Sequence, residues 1–341
     1  MTIRDALFEA KIKLDTAGIP SPWLDAELLL AHLLRQPRTY LTIYQNQPLN
    51  HVTIQQFNHL VMRRARGEPF AYLTGEKEFC GLSFAVNKHV LIPRSATEEL
   101  VEAVIKEQRT TIREQGTVIR KSCTLIDVGT GSGCIAVTLA LQLPSAHIIA
   151  TDIAVQALAV ARENAARHGV TDRIVFLQGD LLAPVLKTQT DRLIDCQTVL
   201  VANLPYVPAQ TIAPNSDLSS EPRRALDGGP DGSRPYRRLF DQLRAKGDRW
   251  HPDCIAIEIE NDAYGALLAS AEWRSLQPGY AAERIGSTLL MRSIQQKPRF
   301  SRGSLKTENC QLITGTVPDQ TLVLPTCKAQ TNMSVCRRRW P

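Results

Sequence analysis

Apolar residues recur along the first part of the chain with a period of about 3.6 positions, the period of one helix face. Ile3, Ala6, Leu7, Ala10, Leu14 and Ala17 form one stripe that stops at Gly18, and a second apolar run, Leu24 to Leu34, follows Pro20 and Pro22. A third stripe holds Ile54, Phe57, Leu60, Val61 and Ala65 and ends at Gly67. Residues 1–78 are therefore read as a helical domain, with glycines and prolines marking its breaks. From Phe79 the pattern changes, and residues 79–93 read as a strand-rich connector. Beyond it, short apolar runs at Leu125 to Val128, His147 to Thr151, Ile174 to Gln178, Thr198 to Ala202 and Cys254 to Ile259 alternate with helical stretches. Cys134 to Leu143 reads as a buried helix and Ala154 to His168 as a crossover helix. This alternation predicts an α/β fold, a doubly wound, mainly parallel sheet over residues 94–294, closed by Thr288 to Met291.

The chemistry-bearing residues fall where these strands end. Leu125 to Val128 runs into Gly129-Thr130-Gly131-Ser132-Gly133, and a helix opens at Cys134. Three glycines at alternate positions let the backbone turn tightly and approach a bound molecule. The dinucleotide fingerprint GxGxxG would need a glycine at Cys134, so a nicotinamide or flavin cofactor is disfavoured. The next strand ends at Asp152, placed to grip both hydroxyls of a ribose. Ile174 to Gln178 ends in Gly179-Asp180-Leu181, an acid and an apolar neighbour suited to an adenine amino group and ring. These spacings fit an adenosine ligand at the carboxyl edge of an open sheet, where such sheets bind ligands.

Asn203-Leu204-Pro205-Tyr206 follows the run Thr198 to Ala202. A conjugated NH2 is a poor nucleophile because its lone pair is delocalised, so an enzyme that alkylates it must orient and polarise it. The Asn203 side-chain oxygen and the Leu204 carbonyl can accept its two N–H bonds, and Tyr206 offers a flat face to the attached group. Taken alone, these four residues also suit a polar turn that closes a strand.

Together these motifs give the chain its resemblance to a known family, the S-adenosylmethionine-dependent N5-glutamine methyltransferases that modify peptide chain release factors. The resemblance covers roughly residues 1 to 294. It is carried by Arg66-Gly67-Glu68-Pro69, Tyr72-Leu73-Thr74-Gly75, Phe79, Leu91-Ile92-Pro93-Arg94 with Thr97-Glu98-Glu99-Leu100, the glycine loop, Glu221-Pro222, and Ala225 to Gly232. It implies a class I, Rossmann-like methyltransferase with S-adenosylmethionine as cofactor. Gly129, Thr130, Gly131, Ser132, Gly133, Asp152, Asp180, Leu181 and Asn203 would bind the cofactor, with Arg94 and Thr97 at its methionine end. Asn203, Leu204, Pro205 and Tyr206 would hold the acceptor, a glutamine in the Gly-Gly-Gln loop of class-1 release factors. The helical domain would grip that protein substrate.

Two positions depart from the family pattern. Leu204 stands where the family normally has the first proline of Asn-Pro-Pro-Tyr; it keeps the carbonyl but loses proline's fixed φ. Ser95-Ala96 stands where Pro-Glu or Pro-Asp is usual. Ser95 with Glu98 predicts a capping box for the helix that follows, while Ala96 removes an acid that could help close the cofactor pocket.

Composition narrows the rest. The 341 residues, 43% of them hydrophobic, exceed a typical single domain and can bury a substantial core. No apolar run reaches membrane-spanning length, and Asp5 and Glu9 argue against a leader, so a cytoplasmic protein without membrane contact is expected. The eight cysteines include no CxxC pair; reduced thiols and no metal site are expected, and Cys134 reads as a small packing residue. The formal charge is +6. Of 40 basic and 34 acidic residues, eight basic and two acidic lie from position 295 onward, leaving 32 of each before it. A neutral body is poor evidence for a nucleic-acid groove. Residues 295–341 read as a basic, poorly ordered tail, RNA contact being the sharper alternative. A monomer is expected. Two other readings stay open on the residues alone: an N6-adenine methyltransferase on DNA or RNA, whose target NH2 is equally planar, and a non-catalytic S-adenosylmethionine-binding module.

Overall fold

The computed structural model describes residues 1–114, 123–188, 197–212, 220–245 and 250–294, with side chains of 110–114 excepted. The segment 295–341, read above as a basic tail, lies outside the described residues.

The chain begins with five helices: α1 (Ile3–Thr16), α2 (Pro22–Leu34), α3 (Arg38–Ile43), α4 (His51–Ala65) and α5 (Phe70–Thr74). Thr2 caps α1 in a capping box with Asp5, each side chain taking the other's backbone N–H. The anticipated stripes form the core: Ile3, Leu7 and Leu14 meet Leu29, Leu30, Leu41, Phe57 and Val61, all fully or nearly fully buried. A hairpin follows, β1 (Glu76–Phe79) and β2 (Leu82–Ala85), paired antiparallel with Phe79 opposite Leu82. Its two turn residues, Cys80 and Gly81, both have positive φ, 49° and 73°. That is the backbone twist that suits a two-residue hairpin, though a cysteine in the first turn position hides it from sequence inspection.

Helix α6 (Ser95–Glu114) then leads into the sheet: β3 (Cys123–Val128), β4 (His147–Asp152), β5 (Ile174–Gln178), β6 (Gln197–Ala202), β7 (Cys254–Glu258), β8 (Tyr280–Ile285) and β9 (Thr288–Ser293). Their spatial order is β5-β4-β3-β6-β7-β9-β8. The first five are parallel, and β9 runs antiparallel to both β7 and β8. Intervening helices are α7 (Cys134–Gln142), α8 (Val155–Arg167), α9 (Ala183–Thr188) and α10 (Arg234–Arg244), then the short helices Asn261–Leu268 and Ala271–Leu276. Alternate strand residues serve opposite faces. Leu125, Val199 and Val201 pack with Leu100, Val104 and Leu139, whereas Ile126, Leu200 and Ile257 pack with Tyr236, Leu239 and Phe240. Both faces are covered by helices, so the sheet is doubly wound as expected.

Two local expectations are corrected. Thr288 to Met291 does not close the sheet: β9 inserts between β7 and β8, and β8 is the edge. Five of the six residues of β8 are exposed, so it carries none of the apolar signal of the buried strands. Ser95 and Glu98 do not form a capping box. Helix α6 already includes Ser95, and the Glu98 carboxylate accepts the backbone N–H of Cys80 at 2.7 Å instead. A tertiary bond to the hairpin turn takes the side chain that a local cap would have used.

Candidate functional site

Sheet register decides which loops meet. Val128 of β3 lies opposite Thr151 of β4 on one side and Ala202 of β6 on the other, while Asp152 lies opposite Gln178 of β5. The glycine loop, Asp152, Gly179 to Leu181 and Asn203 therefore leave the sheet at one level. Strand order reverses across β3 and β6, the switch point where open α/β sheets form a crevice. There lies a cavity of about 630 Å³, within the usual range for small-molecule sites. It is lined by Gly129, Thr130, Gly131, Ser132, Asp152, Asp180, Leu181, Asn203, Leu204, Pro205, Arg94 and Thr97 among others. Of the residues anticipated from sequence, Gly133 and Tyr206 lie outside the lining.

The glycine loop is held from below and from the side. Thr130 Oγ1 donates to the buried Asp127 Oδ2 at 2.7 Å, and the Gly131 N–H donates to Asp152 Oδ2 at 3.0 Å. Gly131 has φ 54° with open space where a Cβ would stand, so its bare backbone faces the cavity. Gly133 serves a different purpose. Its φ is 79°, and a Cβ there would lie 3.0 Å from the Ala161 Cβ, so this glycine lets α7 pack against α8.

Asp152 Oδ1 accepts the Ala154 N–H at 2.8 Å. Each oxygen is thereby oriented by one backbone amide and keeps acceptor capacity. Burial pushes its pKa up, and the amide bonds oppose that rise. Asp180 is braced by α10: Arg238 pairs with its Oδ2 at 2.6 Å, Gln242 Nε2 reaches the same oxygen at 3.2 Å, and the Leu182 N–H donates to Gln242 Oε1 at 2.8 Å. Arg94 forms an ion pair with Glu221, whose other oxygen accepts the Ile92 N–H at 3.0 Å. That buried carboxylate ties the connector to the segment Pro222 to Ala225, which also lines the cavity.

The acceptor segment has its own supports. Asn203 Nδ2 donates to Thr97 Oγ1 at 2.9 Å, and Asn203 Oδ1 has no hydrogen-bond partner among the described residues, which keeps it available as an acceptor. The Leu204 N–H donates to the Tyr236 hydroxyl at 3.0 Å, and the same hydroxyl lies 3.2 Å from the Leu204 carbonyl and against the Glu258 carbonyl. The Tyr206 hydroxyl donates to Glu258 Oε1 at 3.1 Å. Burial, then the neighbouring Glu258 charge, pushes the Tyr206 phenol above its ordinary range, so it stays protonated as a donor. Gly232 seats the segment from behind, because a Cβ there would fall 2.3 Å from the Tyr206 carbonyl oxygen. Asn203 and Leu204 both line the cavity, and an amide oxygen and a backbone carbonyl are the acceptor types that a planar NH2 requires.

Glu258, Tyr236, Arg238 and Gln242 escaped sequence reasoning. Glu258 was within reach of it: it is the acid at the carboxyl end of a buried strand, the same position that singled out Asp152. Burial raises its pKa, opposed by hydrogen bonds with Thr97 and Tyr206. Among the described residues, no cluster of three or more His, Cys, Asp or Glu could hold a metal ion, and no helix is long and apolar enough to cross a membrane.

Comparison with known proteins gives matches to two families. Residues 5–75 match the PrmC N-terminal domain and residues 119–255 a methyltransferase domain. Over 263 residues the chain is 43% identical to the release factor glutamine methyltransferase of Moorella thermoacetica, spanning 77% of this chain and 87% of that one. It is 37% identical to the protein of the same description from Geobacter sulfurreducens over 70% of this chain and 78% of that one. A bifunctional methyltransferase of Rickettsia conorii is 36% identical over 71% of this chain but only 48% of its own length, so this chain spans about half of that protein.

Proposed function

Because the chain belongs to the release factor glutamine methyltransferase family, and is thus an S-adenosylmethionine-dependent methyltransferase, we propose that its acceptor is the side-chain amide nitrogen of a glutamine in the Gly-Gly-Gln loop of class-1 peptide chain release factors. The observation that carries this reading is the Asn203 amide. Its NH2 is engaged by Thr97 while its oxygen has no partner among the described residues, so a residue that lines the cavity together with Leu204 keeps an acceptor available for the substrate.

The residues present fit the cofactor. The bare backbone of Gly131 leaves room for a close approach, Asp152 offers oriented carboxylate oxygens to ribose hydroxyls, and Asp180 with Leu181 frames the adenine end. Bound S-adenosylmethionine supplies a methyl group already activated by a cationic sulfur. The protein's own work is then position and electrostatics. Asn203 Oδ1 and the Leu204 carbonyl accept the two amide N–H bonds of the glutamine, fixing its plane and making its lone pair more available. Arg94 and Glu221 tie the connector to the cavity-lining loop, and Tyr206, just beyond the lining and held by Glu258, would flank the substrate on the acceptor side. The amide nitrogen becomes acidic as it is alkylated, so its surplus proton can leave to water without a dedicated base.

The test is methyl transfer from labelled cofactor to a release factor bearing the Gly-Gly-Gln loop, with total RNA and DNA in parallel. Label should appear on the glutamine, and Asn203→Ala should cut kcat by about 100-fold, the scale of losing one preorganised hydrogen bond in the transition state, with cofactor affinity kept. Label on nucleic acid and none on the loop would overturn the proposal.

A further inference from the structure

Leu204 has a backbone N–H where the family pattern has a proline that lacks one. In this buried residue the extra donor must be paired or cost free energy, and its partner is the Tyr236 hydroxyl at 3.0 Å. Tyr236 sits fully buried near the start of α10, its ring held in the core with Leu239 and Phe240. Its hydroxyl spans three groups: the Leu204 N–H, the Leu204 carbonyl at 3.2 Å, and the backbone carbonyl of Glu258 at the end of β7. A hydroxyl accepts through its lone pairs and donates one proton. It can therefore take the Leu204 N–H while giving its proton to either carbonyl. The Leu204 carbonyl has two lone pairs, so one remains for a ligand whichever way that proton points.

The backbone flanking the Leu204 carbonyl is thus fixed by a side chain from another element rather than by a proline ring. We propose that Tyr236 is a positioning residue for the acceptor: its hydroxyl sets the aim of the Leu204 carbonyl, the task that φ restriction would perform at a proline. This rests on the reading of Leu204 as half of the acceptor pair, and it makes Tyr236 and Leu204 energetically coupled.

The experiment is a double-substitution cycle, Tyr236→Phe and Leu204→Pro singly and together, on the full chain. Tyr236→Phe keeps the ring that fills the core and deletes only the hydroxyl. With release factor as acceptor it should lower kcat by about tenfold, as loosened aim of one substrate-holding group does, with KM for the cofactor unchanged. With proline at 204 the same Tyr236→Phe change should cost less than about threefold, since no N–H is left to orphan. Additive effects would overturn the proposal. A second measurement needs no acceptor. Hydrogen exchange of the peptide around residue 204 should accelerate about tenfold or more at the Leu204 amide in Tyr236→Phe, and unchanged exchange there would also overturn it. Should the unsubstituted chain fail to methylate release factor, the functional reading falls, while the exchange result still decides the role of Tyr236.

Discussion

Asp127 is a carboxylate fully buried in the central strand, with one oxygen held at 2.7 Å by the Thr130 hydroxyl. Burial pushes its pKa from the ordinary 3.8 up to about 7, against the hydrogen bonds from Thr130 and Ala136 that favour the charged form. The folded state therefore binds a proton between these values that the unfolded chain has released. The stabilisation is fully present below the unfolded value and is lost as pH rises to about 7, at up to about 1.4 kcal/mol per pH unit. Urea unfolding at pH 5 and pH 8 should show a larger fall in midpoint for the unsubstituted protein than for Asp127→Asn, which cannot titrate. Equal falls would mean Asp127 is ionised throughout. Residues of this kind also mark how far sequence reaches. Asn203 could be read because its neighbours in sequence share its task. Tyr236 and Arg238 could not, because their partners lie 32 and 58 positions away, and only the packing of α10 on one face of the sheet brings them together.

At the scale of elements, the middle and last glycines of the glycine loop do different work although the sequence writes them alike. Gly131 and Gly133 both have positive φ, so a Cβ at either costs about 1–2 kcal/mol of backbone strain. At Gly131 the Cβ would enter open space; at Gly133 it would meet the Ala161 Cβ at 3.0 Å and Cα at 3.1 Å, and a neighbouring helix backbone cannot swing aside as a flexible side chain does. Gly133→Ala should accordingly lower the melting temperature clearly more than Gly131→Ala. Gly131→Ala should weaken S-adenosylmethionine binding more, as read by calorimetric titration. The reverse ranking in both measurements would exchange the two roles. Strand and helix positions were legible wherever burial was two-sided and apolar runs were long, as in β3, β6 and β7. Legibility failed where a strand is exposed almost throughout, as in β8, and where a tertiary bond overrode a local motif, as at Glu98.

Across the whole molecule, one loop joins the helical domain to the cavity. The Ser220 hydroxyl donates to the Gly67 carbonyl at 3.2 Å, Glu221 holds Ile92 and Arg94, and Arg223 and Arg224 line the cavity. This loop thus places contacts to the helical domain and to the cavity within a few residues of each other. That domain also keeps an apolar face outward. Phe8 and Ile12, one helical turn apart on α1, are 60% and 48% exposed, while Ile3, Leu7 and Leu14 of the same helix fill its core. We propose that these two side chains help to grip the protein substrate, since exposed positions contribute little to folding. Changing both to glutamine, a comparable helix former, should leave the melting temperature and cofactor affinity in place and raise KM for release factor by about three- to tenfold, with kcat kept, as loss of uniform binding requires. A Gly-Gly-Gln peptide too short to reach α1 should be methylated equally well by both forms. A KM for the whole release factor that did not move would remove this face from the docking surface and leave recognition to the cavity rim.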